Sequence, residues 1–487
     1  MKGITIPTIS MPVISMPSIG VPWIGVPDSG KKGLVYPSGM KEAIKAIYDP
    51  KKQGMTNYDV IEAYVGDFTR GIINAENGSG TINGQSVTIT NVISTSHDIF
   101  SLAVNSPSIL LKVYVTGQTV DKQFRIVYQN SDDEYFNTVL NNGINEIQMT
   151  DCVWLAIEGL VVGECNVTIK QLPTSILQDL SGNGNHAYLY GGKGKLNSGM
   201  GVYQLDMTNA ENLAFDDFKR FANKVIARGI YKGNYSVFGQ VTDNSNIPIE
   251  KTITLKIKGV ANLDTPLVIE YGYFLSTGIY QGNKLLISED GTYTYTFKDI
   301  ELSEDALIDY IYYNRCYFGN DKTFNVDEIV IEEIPDYPDQ LCYDGKMYAV
   351  CYGFPILTDY TVMADRTHFD LDDITKRRGF ISKSTQPTNG AFNIEVNEGV
   401  DGDFDTYSFL NRNDISVING ITYQTKTSYN GNAIKFGDSI DTDTLTIGRV
   451  RISDNRVFYG CHGKIIIADR SFTEEEINWL KQNWDKI

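Results

Sequence analysis

The feature that most restricts this chain stands at its N-terminus, where prolines recur at Pro7, Pro12, Pro17, Pro22 and Pro27 and isoleucines at Ile4, Ile9, Ile14, Ile19 and Ile24. Each proline fixes its own φ, removes an amide donor and pushes the residue before it into extended geometry. The pentapeptide register therefore excludes a helix and predicts an extended arm over residues 1–40. Between Met1 and Gly30 the charged residues are Lys2 and Asp28, so the arm is both extended and greasy. A solvated linker has no use for a β-branched apolar side chain at every fifth position, whereas a strand laid on another subunit does. The 24 residues from Ile4 to Pro27 reach roughly 75 Å at about 3.1 Å each. These ten prolines and isoleucines form the expected assembly anchor.

The 487 residues allow several cores. Thirty Tyr, 21 Phe and 44 Gly, with repeated Asn, Asp, Ser and Thr clusters, suit short strands joined by tight turns. The expected fold class is mostly β: multiple β-sandwich or jelly-roll modules, with the Pro-rich arm and short helices. A net charge of −18 disfavours a nucleic-acid partner. No window has the apolar length of a membrane helix, and the proline-broken N-terminus provides no secretory h-region. Cys152, Cys165, Cys316, Cys342, Cys351 and Cys461 form no C-x-x-C pair and read as buried thiols, a Cys342–Cys351 disulfide being the lesser alternative.

A short helix is expected from about Gly39 to Tyr48, capped by Ser38 and stopped by Asp49-Pro50, and another around Tyr58 to Tyr64. Together they make residues 41–65 a helical linker. Alternating runs at Ser86–Val92, Ile109–Val115, Phe124–Tyr128, Val153–Ile157 and Val167–Leu172, with an Asn83-Gly84 hairpin signal, predict one sandwich over 66–173.

The most specific segment is Leu177-Gln-Asp179-Leu-Ser181-Gly-Asn183-Gly-Asn185-His186-Ala-Tyr-Leu-Tyr190. It resembles the opening of concanavalin A-like, laminin-G-like jelly rolls found in bacterial surface and phage structural proteins. The closing run, Lys464-Ile-Ile-Ile-Ala-Asp469-Arg470-Ser-Phe472-Thr-Glu474-Glu-Glu476-Ile, resembles the strand and helix with which the same families end. The strand expected soon after the opening arrives only at Leu341–Val350, followed by Phe354–Arg366. The resemblance thus implies a discontinuous jelly roll, 174–213 plus 337–487, interrupted at 214–336. The insert has its own β pattern and ends in Phe324–Glu333, similar to the closing strand of carbohydrate-binding-module-like sandwiches.

No paired carboxylates at strand spacing mark a glycosidase; Asp327, Glu328, Glu332 and Glu333 read as a solvated face. His97, His186, His368 and His462 lie far apart without a triad context, and His186 reads as a turn residue. No phosphate-binding glycine fingerprint is present. Asp401, Asp403 and Asp405 suit oxygen ligation, but their loop lacks EF-hand glycine placement and reads as polar surface. The Tyr310–Asn314 run reads as packing before sugar stacking, and Thr473 with Glu476 as a capping box. The expectation is a non-enzyme without catalytic residues, metal or cofactor.

Taken together, the chain resembles head-fibre or decoration proteins of tailed, crAss-like phages infecting gut Bacteroidetes. That resemblance implies a surface-exposed virion component made without a signal peptide. Its expected partners are other copies of itself, a trimer favoured, capsid or tail proteins held through the arm, and host surface polysaccharide. A tail-associated receptor-binding fibre, or a secreted bacterial glycan-binding adhesin, is the alternative.

Overall fold

The computed structural model describes residues 34–194, 198–205, 207–212, 214–221, 223–242, 251–274, 280–297, 311–318, 323–369, 378–383, 392–396, 408–410, 420–426, 428–429, 432–433, 443–450 and 456–487. The anchor residues Ile4 to Pro27 and the Asp401–Asp405 loop lie outside them. The fold is mostly β, built from sheets whose strands pair antiparallel except for Phe392–Val396 beside Ser408–Leu410, with short helices.

Residues 72–171 form one eight-stranded sheet. Its centre is a pair of long antiparallel strands, Asp98–Thr116 and Gly143–Gly159. The short runs expected at Ile109–Val115 and Val153–Ile157 are segments of these. Bulges, such as that between Ala103 and Ser106, let a long strand change direction without ending. The sheet encloses a core that includes Val87, Ile89, Ile126, Leu155, Ile157, Val167 and Ile169. Asn83 and Ser86 are paired residues, and Gly84 takes φ 54° in the turn between them.

The jelly roll is a sheet of eight strands facing one of seven. Leu341, Tyr343, Val362, Ile465 and Ile467 of the first meet Leu177, Leu189, Ala349, Leu445 and Ile447 of the second in a common core. The outer side of the larger sheet is covered by the C-terminal helix Glu474–Gln482, whose Ile477 and Leu480 pack on Met363 and Ile466. Thr473 and Glu476 close the expected capping box at its start.

Here the helical reading of 41–65 is corrected. Of the helix expected from Gly39 to Tyr48, only Met40–Ala43 forms before the chain enters the strand Ile44–Tyr48, which pairs with Ile465–Ala468. Both faces of that strand are buried: Ala46 and Tyr48 enter the main core, while Ile44 and Ile47 pack under the C-terminal helix. Two-sided burial removes the alternation that marks a strand and leaves spacing that imitates a helix. Ser38 does not cap; Gly39, at φ 71°, precedes the helix without a side-chain bond. Asp49-Pro50 starts a helix instead of stopping one, since Asp49 accepts from Lys52 N and Pro50 occupies the first position of Pro50–Gln53. Around Tyr58 the chain makes turns, not a helix, and buries Met55 and Val60 in the jelly-roll core.

The insert consists of two five-stranded sheets between Glu211 and Ile334. Leu205, Met207 and Ala210 already belong to its core, so its boundary lies earlier than residue 214. The reason for the site of insertion is geometric: the jelly-roll strands Gly199–Val202 and Asp336–Asp344 are antiparallel neighbours, with Val202 opposite Asp336. The whole insert replaces the turn of a hairpin, whose two ends are necessarily close. Glu333, 2% exposed, locks this junction by accepting from Gln204 N at 2.6 Å and Leu205 N at 3.0 Å.

Candidate assembly-anchor site

The segment that follows the arm is held by the Asp179–His186 turn. Gly182 and Gly184 take φ 89° and 77°, which lets the chain fold back on itself so that one carboxylate meets three amides. Asp179 is 6% exposed. Its Oδ1 accepts from Ile47 N at 3.0 Å and Ser181 N at 2.9 Å, and its Oδ2 from Asn185 N at 3.0 Å. Ile47 lies 132 positions earlier in the chain. The Asn185 amide donates to Lys45 O at 2.8 Å and the Asn183 amide to Ile44 O at 2.9 Å. Tyr48 returns the grip, its hydroxyl donating to Asn185 O at 2.6 Å. Leu180 N donates to Ile47 O. One edge of Ile44–Tyr48 is therefore paired to the sheet and the other is saturated by the turn.

His186 is more than a turn residue. Its Nδ1 accepts from Asp179 N at 3.0 Å, which requires that nitrogen to be unprotonated. Burial lowers its pKa, the Asp179 carboxylate opposing.

A second layer ties the same region to the C-terminus. Lys464, 5% exposed, donates to Trp484 O and lies 3.5 Å from Asp49 Oδ2. Burial pulls its pKa down while Asp49 resists. Lys52 donates to Ile487 O, and the Tyr36 ring packs on Trp479 with centroids 5.1 Å apart. Arg470 holds Glu476 bidentately at 2.6 and 2.8 Å, keeping that carboxylate below its usual range. The chain leaving the arm is thus caught between a buried turn and the last helix.

Other sequence candidates are dispersed. Glu328 pairs with Arg228 on the surface of the insert, and Glu333 serves the junction, so the four acids do not form one site. His97 is exposed, His368 packs edge-on against Phe458, and His462 is buried with its Nε2 2.9 Å from the Tyr343 hydroxyl. All six cysteines are free; Cys342 lies opposite Cys461, in the other sheet from Cys351. Asn314, from the tyrosine-rich run, is buried and accepts from Tyr295. Among the described residues there is no group of three or more His, Cys, Asp or Glu side chains placed to hold a metal, and no helix long and apolar enough to cross a membrane.

No family model and no curated protein matches the chain. Among solved structures it is similar to the N-terminal CBM22-1–CBM22-2 tandem domain of Paenibacillus barcinonensis Xyn10C. The identity is 10%, over 56% of this chain and 97% of that one, with a TM-score of 0.23. A mutant of Bacillus subtilis oxalate decarboxylase gives 9% identity over 57% and 78% of the two chains, with a TM-score of 0.11. Likeness at this level assigns no function.

Proposed function

We propose that this chain is a structural virion protein of a tailed bacteriophage, of head-fibre or decoration type, held in a larger assembly by residues 1–40 and displaying β modules outward. The observation that carries the reading is the Asp179 clamp. A tether is only as strong as the point where it joins the folded body, and the strand immediately after the arm is bonded on both edges and buried on both faces. The bonds that complete the jelly roll at this strand also give the N-terminal segment a fixed point of attachment. Isoleucines at five-residue intervals find no common core within a single extended strand, so the arm gains burial by lying against neighbours. A homotrimer presents several such faces at once through closed symmetry. The displayed modules then serve contact with host surface polysaccharide.

The test compares the full chain with a form beginning at Leu34, which keeps Leu34, Tyr36 and Met40 packed beneath the C-terminal helix. The full chain is expected to enter particles and to have trimeric mass in solution; the shortened one is expected to remain folded and fail to incorporate. Equal incorporation of both forms would remove the anchor, and a monomeric full chain at micromolar concentration would remove the trimer.

A further inference from the structure

The insert carries a recess that the clamp does not use. It is lined by Tyr231, Gly233, Asn234, Tyr235, Glu270, Arg315, Tyr317 and Phe318, and its volume is about 250 Å³. The recess spans core and surface: Tyr231 and Phe318, one from each sheet, belong to the core, while Arg315 and Tyr317 are only partly buried and Gly233 to Tyr235 come from the loop between two strands. Its floor is fixed, because the Tyr231 hydroxyl both donates to Phe318 O and accepts from Phe318 N. The Arg315 guanidinium lies over the Tyr235 ring, 4.9 Å from its centroid, so a ring that is 37% exposed holds the plane of the fork. Glu270 stands directly opposite Arg315 on the neighbouring strand, and Lys284 stands opposite Glu270 on the next. Lys284 is in turn committed to Tyr317, which raises its pKa.

We infer that this recess binds a single neutral pyranose unit of a polysaccharide. A planar fork of donors beside a carboxylate of acceptors matches a vicinal diol, in which one hydroxyl accepts while its neighbour donates. The Tyr235 ring, 37% exposed with Arg315 over one face, adds an aromatic rim that suits the apolar CH side of a sugar ring. An anionic ligand is disfavoured twice: Glu270 sits between the two cations, and the chain carries a net charge of −18. The volume lies just under the roughly 300 Å³ at which pockets for larger ligands begin, so one ring is the fitting load. A lone ring in an open recess makes few contacts, and useful avidity comes from several copies engaging one polymer.

This inference rests on the display reading for its biological purpose, and its test is separable from that reading. The full chain would be run in native gels containing mannan, galactan, dextran, xylan or, as the acidic arm, alginate. Retardation by at least one neutral polymer is expected, weakened tenfold or more by R315A and by Y235A. R315K, which keeps the charge and loses the planar fork, should be nearly as weak. Melting temperatures within 2 °C or so of the parent would show that the variants remain folded. No retardation by any polymer, retardation indifferent to these substitutions, or preference for alginate would each overturn the assignment. The same variants should enter particles as well as the parent does; loss of incorporation in the arm-deleted form tests the display reading alone.

Discussion

The jelly roll and its insert are both β-sandwiches, yet they are completed in opposite ways. The insert draws its strands from one uninterrupted stretch and meets its host through two adjacent chain crossings locked by Glu333. The jelly roll is assembled from three stretches far apart in sequence, and its closing strand, Tyr459–Ala468, is flanked by Ile44–Tyr48 beyond the point where Asp336–Asp344 ends. A module can therefore tolerate a large interruption at a hairpin while depending on five residues from the distant N-terminus. Contiguity in sequence and independence in folding are different properties.

The sharpest way to break this comparison is to remove one part from each side. Excision of the insert between Tyr203 and Pro335, with a short glycine linker, should leave a soluble jelly roll that melts cooperatively. A form beginning at Pro50 should aggregate, because it strips Ala46 and Tyr48 from the main core and Ile44 and Ile47 from beneath the last helix. Calorimetry and gel filtration read both. The reverse pattern would show that the jelly roll leans on its insert and not on its first strand.

A single atom group tests the same dependence less drastically. D179A leaves the amides of Ile47, Ser181 and Asn185 without their acceptor in a buried site. The expected loss is about 3–5 kcal/mol, from charge-assisted bonds and stranded donors. Hydrogen exchange should quicken first at Ile47 and Asn185, ahead of any amide in the insert.

Acid should reach the jelly roll before the insert. Burial pushes His462 down to about 4, with the Tyr343 hydroxyl donating to Nε2 and Nδ1–H facing Gly463 O. The unfolded chain takes up this proton near pH 6.5 and the folded one only near pH 4, so stability is full above 6.5 and falls as pH drops through that window. One proton over such an interval is worth on the order of 3 kcal/mol. H462Q should flatten the pH dependence of the jelly-roll transition between pH 6.5 and 4 without altering that of the insert.

These contrasts also explain what was legible beforehand. The turn at Asp179 and the helix after Arg470 were readable because glycine, asparagine and capping residues act locally, whatever surrounds them. The displacement of Leu341–Val350 revealed an interruption, since a missing strand must reappear. Ile44–Tyr48 was misread as helix because a strand buried on both faces has no polar side to mark its period. The recess on the insert was invisible for another reason: Glu270 and Arg315 meet through the register of two strands distant in sequence, and Tyr235 reaches them from the loop before Ser236. The mostly β class followed from composition; the anchor residues themselves stand outside the described part of the molecule.

The smallest expected effect lies at the junction, where E333Q should separate the two sandwiches without unfolding either. Glu333 offers one oxygen to Gln204 N and the other to Leu205 N, an arrangement that needs two acceptors. Glutamine supplies one acceptor and turns an NH₂ group toward a second donor, so one charge-assisted bond is lost and two donors oppose each other. The loss is about 1–2 kcal/mol. Because the two cores draw on different residues, that loss belongs to the hinge and not to either body. Limited proteolysis should therefore cut E333Q near Tyr203 to Leu205 at least several-fold faster than the parent, while the melting temperatures of jelly roll and insert stay within 1 or 2 °C or so. A drop in both melting temperatures together would mean that the insert is braced by its host and that the hairpin junction is a structural interface, which would erase the distinction between a module that is merely carried and one that is built in.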